Sequence, residues 1–410
     1  MDSIKINLAV DKSRNRVLFA DAGSDLVDVL LSFLTLPLSA IQFCVVPSPG
    51  CLSNLCDSVR RLAGGKLLKV EACHGMLLTP STAHEFGGRY RYNLDFTHDA
   101  FVKNQPNLKV NGNLCGCWKV MDRLVRAYSE ASSSPGKFVR CKERFVISDD
   151  WTITPASTSL IHRFSSESEA AFPGFEEVEV RVSWPKDARA TVKPSINQKI
   201  VATPNEDPGA SSEFKTKFFY DAKERKVMYA ECKHDFVDLL LGFLTYPLGC
   251  VIKNMNDSGL TSPLGSGGMA NLYASVVELD AAGFIAGGYP TETLLNPPLS
   301  PLCRHPDCST AKKDSVEPKN FMGLVSHSSC VGCCYDLVED RKYVVDDDLL
   351  VHQASAMSVT KHWRGRDKAN VVEMDIDMTK QEAVVLLRAM LTSRTPLTDV
   401  FISRLEEHSS

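Results

Sequence analysis

The chain of 410 residues has no uninterrupted apolar run long enough to cross a bilayer, which takes about 20 residues. The nearest candidate, residues 26–46, is broken by Asp28, Pro37 and Gln42, and its echo in the second half carries Asp238 and Pro247. A core helix is therefore expected there, with no membrane partner. Basic charge is not in excess either: the formal net charge is −4 and the pI about 6.2, which argues against nucleic acid as a partner. The first residues lack the apolar core of a secretory signal, and fourteen cysteines are sparse for a disulfide scaffold. The expected compartment is the cytoplasm or nucleus, with cysteines held as thiols or metal ligands. G-x-S-x-G, H-E-x-x-H, Walker A and G-x-G-x-x-G signatures are all missing, so no catalytic and no cofactor-binding residue is assigned.

What the chain does contain is one phrase written twice. "DLVDVLLSFLTLPLS" (25–39) returns as "DFVDLLLGFLTYPLG" (235–249), and thirteen of the 28 positions from Asp11/Asp221 to Leu38/Leu248 are identical. The echo resumes in "NLCDSVRRL" (54–62) and "NLYASVVEL" (271–279), then in "FVISDDWTITPAS" (145–157) and "YVVDDDLLVHQAS" (343–355), and finally in "VEVRVSW" (178–184) and "VEMDIDM" (372–378). Landmarks kept in order mean a tandem duplication, and each unit is of ordinary domain size. Alternating residues predict a β-hairpin, helical spacing predicts an apolar helix ended by Pro37 or Pro247, and a second helix and further strands follow. The expected fold class is α+β. Residues 1–184 make the first unit and 185–213, polar and aperiodic, a flexible linker. Residues 214–368 make the second unit, which 369–410 complete with a strand and helices; Thr379-x-x-Glu382 has the form of a capping box.

Three features invite a chemical reading. Asp25/Asp28 and Asp235/Asp238 recur in both units; the expectation is that the first of each pair caps the helix and the second faces its dipole. Asp149/Asp150 and Asp347/Asp348 are expected in Asx turns after a strand. "GSGGMANLY" (265–273) is read as a helix start, with one glycine in its counterpart "PSPGCLSNL" (47–55). The cysteines are the more specific signal. Cys303-x4-Cys308 and, 21 residues later, Cys330-x2-Cys333 have the spacing of two knuckles that place four thiolates around a structural zinc. The first unit retains Cys115 and Cys117 without a first pair, so no zinc is expected there.

"DKSRNRVLFADAGSDLVDVLLSFLTLPL", "NLCDSVRRL", "FVISDDWTITPAS" and "LLRAMLTSRTPLTDVFISRL" together resemble the plant proteins grouped as domain of unknown function 674. The resemblance implies paired cysteines ending in a C-x-x-C-G-K-L-M-like knuckle, which here falls on Cys330 and Cys333. Cys334-Tyr335 replaces the Gly-Lys of that pattern, and Leu114 replaces a knuckle cysteine in the first unit. It implies no activity, substrate or partner. The expected function is a non-catalytic binding or scaffold protein with a protein partner and one structural zinc. The alternative is a hydrolase or transferase with Asp149/Asp150 or Asp347/Asp348 in a cleft between the units, which a pocket joining both carboxylates to a histidine would favour.

Overall fold

Alternating apolar residues fold the start of the chain into a hairpin, β1 (Ile4–Asp11) and β2 (Arg16–Gly23). The apolar run becomes α1 (Ser24–Ser32), a 3-10 turn over Phe33–Thr35 and α2 (Leu38–Cys44), followed by α3 (Leu52–Gly64). Strands β3 (Arg144–Ser148), β4 (Ile153–Pro155) and β5 (Phe175–Val182) complete the first half. The second half repeats this order: β6 (Lys215–Asp221), β7 (Lys226–Cys232), α4 (His234–Gly242), a 3-10 turn over Phe243–Thr245, α5 (Leu248–Asp257) and α6 (Gly268–Ala281). It continues through the short α7 (Glu292–Leu295), β8 (Tyr343–Asp346), β9 (Val351–Gln353), α8 (Ala356–Trp363) and β10 (Val371–Asp377). Helices α9 (Lys380–Thr392) and α10 (Pro396–Glu407) end it. This computed structural model describes residues 4–12, 16–44, 48, 50–68, 77–78, 138–157, 175–182, 215–260, 268–286, 291–296 and 341–407. Residues 185–213, expected as a linker, and Cys303, Cys308, Cys330 and Cys333, expected as zinc ligands, lie outside them.

The fold is α+β, with two five-stranded antiparallel sheets of matching order, β4-β3-β2-β1-β5 and β9-β8-β7-β6-β10. Even the irregularities correspond. A bulge falls between Ala9 and Val10 in β1 and between Phe219 and Tyr220 in β6. The β3–β4 and β8–β9 turns each place a non-glycine residue at positive φ, Trp151 at 68° and Leu349 at 61°. Asp150 and Asp348 hold these turns by accepting from the amides of Thr152 and Leu350, the expected Asx geometry. Thr379 and Glu382 form the capping box of α9.

Pro37 and Pro247 end their helices and face each other. Neither can donate, so the antiparallel bridge between them is closed by their neighbours: Leu38 N–H donates to the Tyr246 carbonyl and Leu248 N–H to the Leu36 carbonyl, both at 2.9 Å. No helix among the described residues is long and apolar enough to cross a membrane.

The halves exchange their second helices. Leu52, Leu55, Cys56, Val59 and Leu62 of α3 are buried in one core with the second sheet, α4 and α9. Leu272, Val276 and Leu279 of α6 are buried in the other core, with the first sheet and α1. The tethers match atom for atom. Asn54 Nδ2 donates to the Asp348 carbonyl at 2.8 Å, and Ser58 Oγ accepts from Val351 N–H at 2.8 Å. Asn271 Nδ2 donates to the Asp150 carbonyl at 2.9 Å, and Ser275 Oγ accepts from Ile153 N–H at 2.9 Å. The chain is thus an internal pseudo-dimer.

The capping expectation for Asp25 and Asp235 is corrected. The helices start two residues earlier than the capping reading requires, so Gly23 and Lys233 are the caps and make no side-chain cap bond; both aspartates sit in the first turn. Asp28 does more than face a dipole. It is 2% exposed, and its Oδ1 accepts from the amides of Phe138 and Val139 at 2.8 and 3.0 Å.

Candidate functional site

The second half carries a cleft of about 480 Å³. Its walls come from the start of β7, the β8–β9 turn, the end of α8 with the loop after it, and the α9–α10 connection. All of these belong to the second half. Aromatic packing sets one wall. Tyr229 stacks on Phe219 with centroids 4.4 Å apart and accepts a hydrogen bond from Trp363 Nε1 at 3.1 Å. This fastens α8 to the sheet and turns Lys361 and His362 toward the end of β8.

Asp346 terminates β8 with its side chain 7% exposed. Its Oδ2 is bonded by His352 Nε2 at 3.1 Å and by the Lys361 ammonium, and its Oδ1 by His362 Nε2 at 2.8 Å. Burial alone would raise this carboxyl, but the bonds from His352, His362 and Lys361 outweigh it and hold it far below the ordinary carboxylate range. A carboxylate so encumbered ties β9 and α8 to β8 and is a poor general base. Two histidines and a carboxylate invite a metal reading, but an ammonium shares the same carboxylate. Among the described residues no group of three or more metal-ligating side chains is arranged to hold an ion.

Asp347, also buried, caps α10 from outside: Oδ1 accepts from Thr398 N–H and Oδ2 from Thr398 Oγ1, both at 2.8 Å. Thr398 Oγ1 in turn accepts from Val227 N–H at 2.9 Å. Burial pushes the Asp347 carboxyl up to about 6 despite these bonds. The sign follows from linkage. A folded-state pKa above the unfolded value means that the folded protein holds the extra proton, so this group opposes folding at neutral pH and the opposition fades on acidification. Asp347→Asn removes the titration. Its stability relative to the native chain is expected to fall by on the order of 2 kcal/mol between about pH 7 and about pH 4.5, read from denaturant midpoints. A pH-independent difference would remove the assignment. Asp346 has the opposite sign: its stabilisation is complete above the ordinary aspartate range and is lost only in stronger acid.

The first half lacks this cluster. Ser148 stands where Asp346 does, and Thr154 where His352 does. Arg16 and Asp149 approach to 3.9 Å, as Lys226 and Asp347 do, but the Asp149 side chain is 64% exposed. The glycine-rich stretch proves to be a helix start, since α6 begins at Gly268, where a Cβ would meet the Trp151 ring at 3.2 Å. The zinc candidates Cys303, Cys308, Cys330 and Cys333 fall outside the described residues. Asp347 and Asp348, singled out in the sequence, lie in the cleft wall, but the parts played by Lys226, Lys361, His362, Arg366 and Arg394 had no sequence signature.

No curated protein and no solved structure matches the chain. A family profile described as "Protein of unknown function (DUF674)" matches residues 1–184, 210–333 and 336–410, nearly the whole chain, and the chain belongs to that family.

Proposed function

We propose that this protein is a non-catalytic binding or scaffold protein, with a structural zinc on Cys303, Cys308, Cys330 and Cys333 and a protein partner in the cytoplasm or nucleus. One observation carries the non-catalytic reading: the polar groups the halves share are consumed by architecture. Asn54 and Asn271, Ser58 and Ser275, and Asp150 and Asp348 all hold turns or exchanged helices. In the cleft, Asp346 and Asp347 are likewise saturated. The zinc reading is supported by cysteine spacing. A reducing compartment accords with the buried free thiols, among them Cys51 and Cys56, which burial pushes up to about 12.

Elemental analysis of the purified chain is expected to find about one zinc per molecule, lost on Cys330→Ser. A folded protein with no zinc and fully titratable thiols would end that part of the proposal. The enzyme alternative is favoured by one observation, the presence of Asp347, Asp348 and His362 in a single cleft. Its test is a broad screen of hydrolase and transferase substrates. Turnover abolished by His362→Ala in a protein that stays folded would replace the binding reading; no turnover is expected.

A further inference from the structure

The cleft's charge is layered. Its negative groups Asp346 and Asp347 form the floor, with side chains 7% and 8% exposed, and each is hydrogen-bonded within the wall. The positive groups stand higher. Lys226 and Lys361 have side chains 48% and 51% exposed, and Arg394 is exposed in the α9–α10 connection. Lys361 is engaged by Asp346, and Arg366 by Asp221 and Glu224. Lys226 reaches Asp347 only at 3.9 Å, and Arg394 has no ion pair among the described residues. An incoming ligand therefore meets two under-used cations in a cleft of small-molecule size.

We propose that this cleft binds a small molecule through a phosphate group, held by the Arg394 guanidinium and the Lys226 ammonium. Arginine suits the task because its planar fork meets two phosphate oxygens at once, while lysine adds a point charge. The acidic whole-chain balance does not oppose this, since the exposed charge at the rim acts locally and distant charges are screened. The remaining partly exposed carboxylate in the wall, Asp348, would repel the same ligand and so supplies a control of opposite sign.

Calorimetric titration of the full chain with inorganic phosphate and with pyrophosphate tests the proposal. Saturable binding is expected, weakened about tenfold or more by Arg394→Ala, by a smaller factor by Lys226→Ala, and progressively by added sodium chloride. Asp348→Asn is expected to strengthen it about two- to fivefold. These side chains are at least partly exposed, and circular dichroism of each variant confirms that it folds. No saturable binding, or binding indifferent to Arg394→Ala, overturns the proposal. The reversed pattern, in which Asp348→Asn weakens binding and Arg394→Ala does not, also overturns it. The proposal rests on the binding reading above, and the two fail separately: turnover of a phosphate ester would end the non-catalytic reading and leave the anion site standing, whereas absent phosphate binding would do the reverse.

Discussion

Expressed apart, residues 1–213 and 214–410 are each expected to yield no folded monomer, and to regain the native spectrum when mixed. The cause is the exchange of α3 and α6. In a separated half, the buried face of its second helix loses the sheet it covers, and its own sheet loses its cover. For α3 that face is Leu52, Leu55, Cys56, Val59 and Leu62, all at most 2% exposed. At about 1.5–3 kcal/mol per large apolar side chain, the loss is on the order of 10 kcal/mol, comparable to the whole stability of a typical domain. Any folded product of one half is expected to be a homodimer. Asn54 and Ser58 would find in the β3–β4 turn and at the start of β4 of a second copy the carbonyl of Asp150 and the amide of Ile153, which now serve Asn271 and Ser275. Light scattering and circular dichroism check this, and a folded monomeric half would refute it. Within the intact chain, Leu55→Ala is expected to cost about 2–5 kcal/mol and to speed amide exchange in β9 before it does so in the first sheet.

The sequence made the secondary structure legible because periodicity is a local property. The hairpins, the helix broken at Pro37, the second helix and the capping box at Thr379 could each be read within a window of a dozen residues. The exchange could not. "NLCDSV" and "NLYASV" show one apolar and one polar face, but nothing in either says which of two similar sheets the face will meet. The cleft was half legible for a related reason. "DDD" announced a turn, while the partners of Asp346 arrive from β9 and α8, 6 and 16 residues on, at no spacing that a local rule recognises. Asp28 was misjudged because a carboxylate near a helix start has an ordinary local explanation, whereas the amides it accepts from lie 110 and 111 residues away.

Asp28→Ala is expected to destabilise the protein by about 3–5 kcal/mol, far beyond what loss of a helix-dipole contact would cost. The carboxylate is buried, and one oxygen serves the amides of both Phe138 and Val139, themselves 1% and 0% exposed. Removing it strands two buried donors, at roughly 1–3 kcal/mol each. The segment it fixes is also a clamp between the halves: Val139 bridges Ile285, Arg140 N–H donates to the Phe284 carbonyl, and Ala286 N–H donates to that of Phe138. Loosening residues 138–140 therefore weakens the hold of the first half on the segment that follows α6. Asp28→Asn keeps an acceptor oxygen in place and is expected to cost only about 1–2 kcal/mol. Denaturant unfolding of the two variants separates the possibilities. If alanine cost under about 1 kcal/mol, the two amides would not depend on Asp28. If asparagine cost as much as alanine, the negative charge and not the acceptor geometry would be what this position supplies.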